Sequence, residues 1–235
     1  MTGWVPKRFW TSATVEPEGA GFAVRLDGRA VRTPAKAALV LPTRAMAEDI
    51  AAEWAAQGDR IDPETMPSTR AANSAIDKLS RQHAEVAAML ADYGGNDLLC
   101  YRAAEPPALV ARQAAAWDPL LDWADVTFDA PLVVTTGVMP AGQPAASLAR
   151  LAAEVAALDP FRLAAFHDLV VLSGSLVLAL AVIGGRIGPQ EAWAASRIDE
   201  IWQAELWGED AEASAAAARR RAAFLQAHRF FGLCG

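Results

Sequence analysis

The sequence predicts an α+β protein, a small β-rich amino-terminal domain followed by an all-helical carboxy-terminal domain. Three observations carry this. A hairpin signature lies within the first forty residues, helical periodicity dominates after Pro42, and alanine, the strongest helix former, is abundant. In the hairpin, Phe22–Leu26 and Arg29–Thr33 flank Asp27-Gly28. Asp-Gly takes the positive φ angles of a type I′ turn, whose twist suits paired strands. A two-residue loop sets Val24 opposite Val31 and Phe22 opposite Thr33. Phe9–Val15 and Leu39–Leu41 are the candidate flanking strands.

The helices follow in order. Thr43 is a candidate N-cap, and Met46, Ile50 and Trp54 recur at helical spacing before Gly58, giving a helix near 43–57 with Trp54 on its core side. A loop with Pro63 and Pro67 follows, and a helical stretch runs from Ser68 to Tyr93. Helices are expected from Ala108 to Ala124, with Pro119 breaking or kinking the middle, and from Pro144 to Leu158. Pro131, Gly137, Pro140 and Gly142 make Phe128–Gly142 extended or looped. Pro160 opens a long apolar helix to Gly184-Gly185, with Ser173-Gly174-Ser175 read as a close packing point. Pro189 opens another to Gly208, and a last one spans Glu209 to Arg229. The domain boundary falls near Pro63–Pro67, giving 1–65 and 66–235.

Composition excludes several functions. With 235 residues and 53% hydrophobic content, the chain can bury a core. Lys and Arg total 21 against 28 Asp and Glu, a formal charge of -7, the wrong sign for binding nucleic acid through its phosphates. Two cysteines, Cys100 and Cys234, form neither a disulfide framework nor a zinc spacing, and Cys100 reads as a buried thiol. Three scattered histidines make no metal site, and no cofactor is expected. Lys7 and Arg8 precede no apolar h-region, so no cleavable secretory signal is expected. The apolar run Leu169–Ile183 is short of the ~20 residues a bilayer needs and is interrupted at Ser173-Gly174-Ser175, so no stable membrane insertion is expected.

The densest polar pattern lies between Ser196 and Gly208. On one continuous helix, Ala194, Ile198, Ile201, Trp202 and Leu206 form an apolar stripe, with Ser196, Glu200, Gln203 and Trp207 opposite. Two residues are then out of place. Trp207 on the polar face either packs beneath the next helix or anchors a partner. Glu205 in the apolar stripe needs an arginine, or presents its charge to another protein. Asp199 and Glu200 read as solvated, and Arg219-Arg220-Arg221 as a solvated helix face. Paired carboxylates also suit acid–base catalysis. No nucleophile elbow, P-loop or zinc-protease motif accompanies them, and the glycines follow helical rather than strand signals.

Longer motifs carry a resemblance. Val24-Arg-Leu-Asp-Gly-Arg29, Arg32-Thr-Pro34, Ala52-Glu-Trp54, Gln57, Ile61 and Met66-Pro67 resemble the front half of a chaperone family. It is the family that attends the alpha subunit of F-type ATP synthase during assembly of the catalytic head. The likeness continues through Ala75-Ile-Asp77, Asp97-Leu-Leu-Cys-Tyr-Arg102, Gln113, Trp117-Asp-Pro119, Trp123, Gly174-Ser175 and the Ser196–Gly208 segment. It implies a β-rich domain ahead of a helical one, no enzymatic activity, and binding of the unassembled alpha subunit until beta subunits arrive. It also implies partner-binding roles for Trp54 and for the acidic positions Asp199, Glu200 and Glu205, and Gln203 and Trp207 of the same helix join them as candidates. Relatives are largely mitochondrial; without a transit peptide, the bacterial cytoplasm and a monomer are the expectations. The alternative is a small-molecule enzyme using Glu200 or Glu205 with Asp97 or His167 in an interdomain cleft. A peripheral membrane protein using the Leu169 helix is a third.

Overall fold

The computed structural model describes residues 7–137 and 141–235. Residues 1–6, where the amino-terminal signal reading begins, and Pro140 of the predicted loop lie outside them. The architecture is α+β, an antiparallel sheet first and helices after. By contacts the chain divides into two units. The first runs to His83 and takes in Asp159–Ala165 and Arg229–Gly235; the second comprises Ala84–Leu158 and Phe166–His228. The sheet's last strand ends at Leu41 and the first helix starts at Arg44, ahead of Pro63–Pro67, while the contacts divide the chain at His83 and return twice to the first unit.

In the first unit, strand β2 (Gly21–Leu26) is central. Strand β1 (Ala13–Glu18) pairs along one side of it, while β3 (Arg29–Ala30) and β4 (Val40–Leu41) share the other. Asp27 and Gly28 make the turn at φ 48° and 81°. The predicted register holds at first. Leu26 faces Arg29, Arg25 faces Ala30, and the Val31 N–H donates to the Val24 carbonyl at 2.9 Å. It fails beyond that, because Phe22 faces Leu41 of β4 rather than Thr33. Pro34 has no N–H to offer a ladder. Asp77 then draws the chain aside, accepting from the Thr33 hydroxyl at 2.6 Å and from the Ala35 N–H at 3.0 Å.

The Asp27 carboxylate also ties the turn to the chain ahead of β1. It accepts from the Ser12 N–H at 2.9 Å, the Thr11 N–H at 3.0 Å and both hydroxyls. These donors, the Ser12 backbone first, lower its pKa to about 2.

Helix α1 (Arg44–Ala55) begins as predicted, with the Met46 N–H donating to Thr43 Oγ1 at 3.1 Å. It ends before Gly58, at Ala55. Met46 and Ile50 are fully buried in one cluster with Val24, Leu39, Leu41, Phe230 and Cys234. The Ser68–Tyr93 stretch is not one regular helix. It comprises α2 (Pro67–Ser74), a π-turn at Ala75–Leu79 that carries Asp77, and α3 (Ser80–Ala91). Glu53 of α1 caps α2, accepting from the Ser68 N–H at 2.7 Å and the Thr69 N–H at 2.8 Å.

In the second unit, strand β5 (Tyr101–Arg102) pairs in parallel with β6 (Thr135–Thr136), which falls within the segment expected to be extended. Helix α4 (Pro107–Phe128) runs through Pro119 unbroken, and α5 (Ala145–Ala156) matches its prediction. The long apolar helix does not. It splits into α6 (Pro160–Ser173) and α7 (Leu176–Ile183). Gly174 lies between them at φ +73°, and an added Cβ there would meet nothing within 4 Å. Glycine is thus needed for a left-handed turn, not for close packing. The Pro189–Gly208 helix also divides, into α8 (Pro189–Ala195) and α9 (Ile198–Trp207), because Arg197 leaves helical geometry. Helix α10 (Ala211–Gly232) is last. No helix of the described residues is long and apolar enough to cross a membrane. Cys100 and Cys234 are free and buried, and burial pushes both thiols up to about 12.

The Asp27 hydrogen bonds predict a pH-dependent defect. A carboxylate with a depressed folded pKa stabilises above its unfolded value near 3.9 and loses that contribution as pH falls toward about 2. Asp27→Asn should therefore lower the melting temperature at pH 7. The gap from wild type should narrow between about pH 4 and pH 2. A pH-independent gap in thermal melts followed by circular dichroism would show that the charge is not what matters.

Candidate partner-binding face

Helix α9 is held from behind by α4. At its start, Gln113 of α4, itself buried, accepts from the Ala103 N–H at 2.8 Å and donates to Asp199 Oδ1 at 2.6 Å. Near its end, Arg112 Nη1 meets Glu205 Oε2 at 2.8 Å. Between α8 and α9, the Trp117 indole N–H donates to the Ala195 carbonyl at 2.9 Å. Residues 112, 113 and 117 share one face of α4 by helical spacing.

The sequence stripe was only half right. Ile198 is buried, and Ile201 and Trp202 are half-buried, but Leu206 is 58% exposed. Ala194 is exposed and Ser196 buried, the reverse of the prediction, because the break at Arg197 shifts the phase of the preceding turn. The Ser196 hydroxyl closes α8 by donating to the Trp193 carbonyl at 2.8 Å. Trp207 does not pack beneath the next helix; it is 78% exposed. Gly208 at φ 87° ends α9 there, and Asp210 starts α10 by accepting from the Ala213 N–H at 2.7 Å.

Five of the six candidate residues therefore share α9. Asp199 and Glu205 are turned to α4 and spent on positioning. Glu200 pairs with Arg197 at 2.7 Å, whose guanidinium lies 5.7 Å from the Trp193 ring centroid. Glu200, Gln203 and Trp207 line the outward face at i, i+3 and i+7, with Leu206 beside Trp207. The arginine that Glu205 needed is Arg112, and the pair lies at the surface rather than in a core. Trp54 belongs to the first unit, half-buried against its core, with its ring centroid 5.2 Å from Trp10 in an edge-on contact. Arg219, Arg220 and Arg221 are exposed, on a stretch of α10 with little burial before Phe224.

The residues of the catalytic alternative are otherwise occupied. Asp97 is fully buried and meets the amino end of α7. It accepts from the Ser175 hydroxyl at 2.7 Å, the Leu99 N–H at 3.0 Å and the Val177 N–H at 3.0 Å. Burial raises its pKa, and these hydrogen bonds oppose the rise. His167 contacts its neighbour Asp168 at 2.9 Å, Glu200 has Arg197, and Glu205 has Arg112. Among the described residues, no group of His, Cys, Asp or Glu could hold a metal ion.

The motifs quoted from the sequence now have physical roles. Asp97 caps a buried helix; Arg102 donates to the Leu99 carbonyl at 2.8 Å and reaches Asp118 at 2.8 Å. Residues 7–125 match the model of a family described as ATP12 chaperone protein. The chain belongs to the ATP12 chaperone family. Solved structures agree with that placement. Atp12 from Paracoccus denitrificans is 56% identical, with a TM-score of 0.94 over 97% of this chain and 98% of that one. A mutant form of the same protein is 55% identical over the same shares, again with a TM-score of 0.94. The Atu1473 protein of Agrobacterium tumefaciens, a candidate chaperone, is 42% identical over 98% of this chain and 87% of its own, with a TM-score of 0.94.

Two residues outside the candidate set, Arg112 and Gln113, hold the α9 face in place. Gln113 appeared only among the motifs of the resemblance, and periodicity alone marks neither. Gln113→Ala would leave the Ala103 N–H and the Asp199 carboxylate without their partner, at a cost of about 1–3 kcal/mol in urea unfolding. Arg112→Ala removes an exposed pair and should cost less than about 1 kcal/mol. Asp97→Ala should cost at least about 3 kcal/mol by the same measurement, since three buried donors lose their acceptor. A cost below that of Arg112→Ala would remove Asp97 from its structural role.

Proposed function

We propose that this ATP12-family protein binds the unassembled alpha subunit of F-type ATP synthase in the bacterial cytoplasm. It shields that subunit's assembly surface until beta subunits arrive and converts no substrate. A lone alpha subunit carries apolar surface destined for its neighbours, and such surface aggregates. A chaperone for it must bind yet be displaced, which favours a few aromatic anchors in a polar setting over a wholly apolar face.

The observation that carries the reading is the outward side of α9. Trp207 and Leu206 stand in solvent beside Glu200 and Gln203, while the opposite side of the same helix is fastened to α4. An exposed tryptophan on a fixed helix loses little conformational freedom when it binds. Trp54, wedged against Trp10, serves by holding the first unit's core together.

The test is protection of isolated alpha subunit from aggregation, followed by light scattering without nucleotide. The wild-type protein should suppress scattering at an equimolar ratio. The double variant Leu206→Ala, Trp207→Ala should bind alpha subunit at least ~10-fold more weakly, in the range of a hot-spot tryptophan. Its circular dichroism should stay unchanged. No suppression by wild type at equimolar ratio would refute the proposal. Lost protection together with unfolding would instead assign these residues to stability.

A further inference from the structure

Strand β1 has one paired side and one open side. The Asp27 N–H donates to the Ser12 carbonyl at 3.1 Å, which makes Ser12 and Asp27 a bonded pair of the ladder. In an antiparallel pair such positions alternate. Thr14, Glu16 and Glu18 therefore bond to β2, and Ala13, Val15 and Pro17 direct their backbone groups outward. Pro17, which has no N–H, fits an outward position at no cost to the ladder. On the other side of β2 the alternation is confirmed by the bond between Val31 and Val24. Among the described residues, no strand pairs with the outer edge of β1.

Beside that edge lies an open groove of about 430 Å³. Ala13, Thr14 and Val15 line it on one side and Ala51, Ala52 and Ala55 of α1 on the other, with the Arg44–Glu48 pair of α1, at 3.7 Å, at one end. The alanines recur along one stripe of α1 and leave room where larger side chains would close the gap. Natural edges are guarded by charge, proline or bulges. Here Glu16, Pro17 and Glu18 guard the far half of the strand, and the stretch from Ala13 to Val15 carries no guard.

We propose that this edge and groove form a second binding site, which takes an extended polypeptide segment as an added strand. The occupant is set by three features. Outward N–H and carbonyl groups at Ala13 and Val15 call for backbone in strand conformation. The alanine-lined wall admits alanine- or valine-sized side chains at alternate positions. On the solvent side, Glu16 and Glu18 share the single guanidinium of Arg25, at 2.5 and 3.0 Å, which leaves net negative charge. A lysine or arginine opposite Glu16 meets it as a cross-strand pair. A second copy of this chain is a poor occupant, because Ala13–Glu18 carries no base and its own Pro17 removes a donor. The site lies on the first unit and does not depend on the α9 face.

A short capped peptide alternating alanine or valine with lysine is the probe, titrated into the 15N-labelled full-length protein. Amide shifts should centre on Ala13 and Val15, with weaker shifts along the outward alanines of α1. The same peptide N-methylated on its pairing side, or with glutamate for lysine, should bind at least ~10-fold more weakly. Ala52→Phe fills the groove from an exposed position and should abolish binding without changing the melting temperature. Equal binding of the N-methylated peptide, or unchanged affinity in Ala52→Phe, would overturn the proposal. So would a concentration-dependent dimer in sedimentation that Ala52→Phe dissolves.

Discussion

A helix whose amino end is buried must find acceptors for N–H groups that no earlier turn can supply. Helix α7 faces that requirement at its most severe, since Leu176 to Val182 are almost wholly out of solvent. The carboxylate of Asp97 answers it together with the Ser175 hydroxyl, which accepts from the Leu178 N–H at 2.9 Å. A carboxylate at a helix amino end is favoured by the helix dipole as well as by its hydrogen bonds. The arrangement explains why the apolar run is broken at Gly174: the turn brings Ser175 into the capping position. It also ties the segment 97–102 to the centre of the second unit, since the Leu98 N–H donates to the Gly174 carbonyl at 3.2 Å. From there Arg102 reaches toward α4, the helix on which α9 is mounted.

How much of this could be read from residues alone depends on the range of the physics involved. The Asp27-Gly28 turn and the Thr43 cap are local, decided within four residues, and both were legible. The break at Gly174 was not, because a run apolar on every side has no polar face to give its phase, and a glycine inside it reads as a contact point. Glu205 declared its need for a cation, yet nothing near it in sequence names Arg112, which lies 93 residues earlier. Ala194 and Ser196 were misplaced for a related reason. A continuous helix from Pro189 was assumed, and the break at Arg197 shifts the phase of the turn before it. The family motifs reached further than periodicity did, since Gln113 and Asp97 entered through them before their hydrogen-bond partners were known.

The candidate surface has a division of labour along a single helix. Acidic groups facing α4 are consumed in holding position, while the outward residues remain open to solvent. This bears on how substitutions in α9 are interpreted. Loss of Asp199 or Glu205 removes a bond between α9 and α4, whereas loss of Trp207 takes away a side chain that stands in solvent. The two kinds of variant differ in their effect on unfolding, even where they weaken the same association.

The first unit closes only with residues from the far end of the polypeptide. Phe230 and Cys234 sit in its core, the Thr43 hydroxyl donates to the Leu233 carbonyl at 2.5 Å, and Arg229 pairs with Asp49. On the ribosome, the sheet and its first helix emerge early but cannot complete their interior until Phe230 and Cys234 have cleared the exit tunnel. Until then the nascent chain itself displays an incomplete apolar pocket, and a protein whose relatives are chaperones is for that interval a candidate for one.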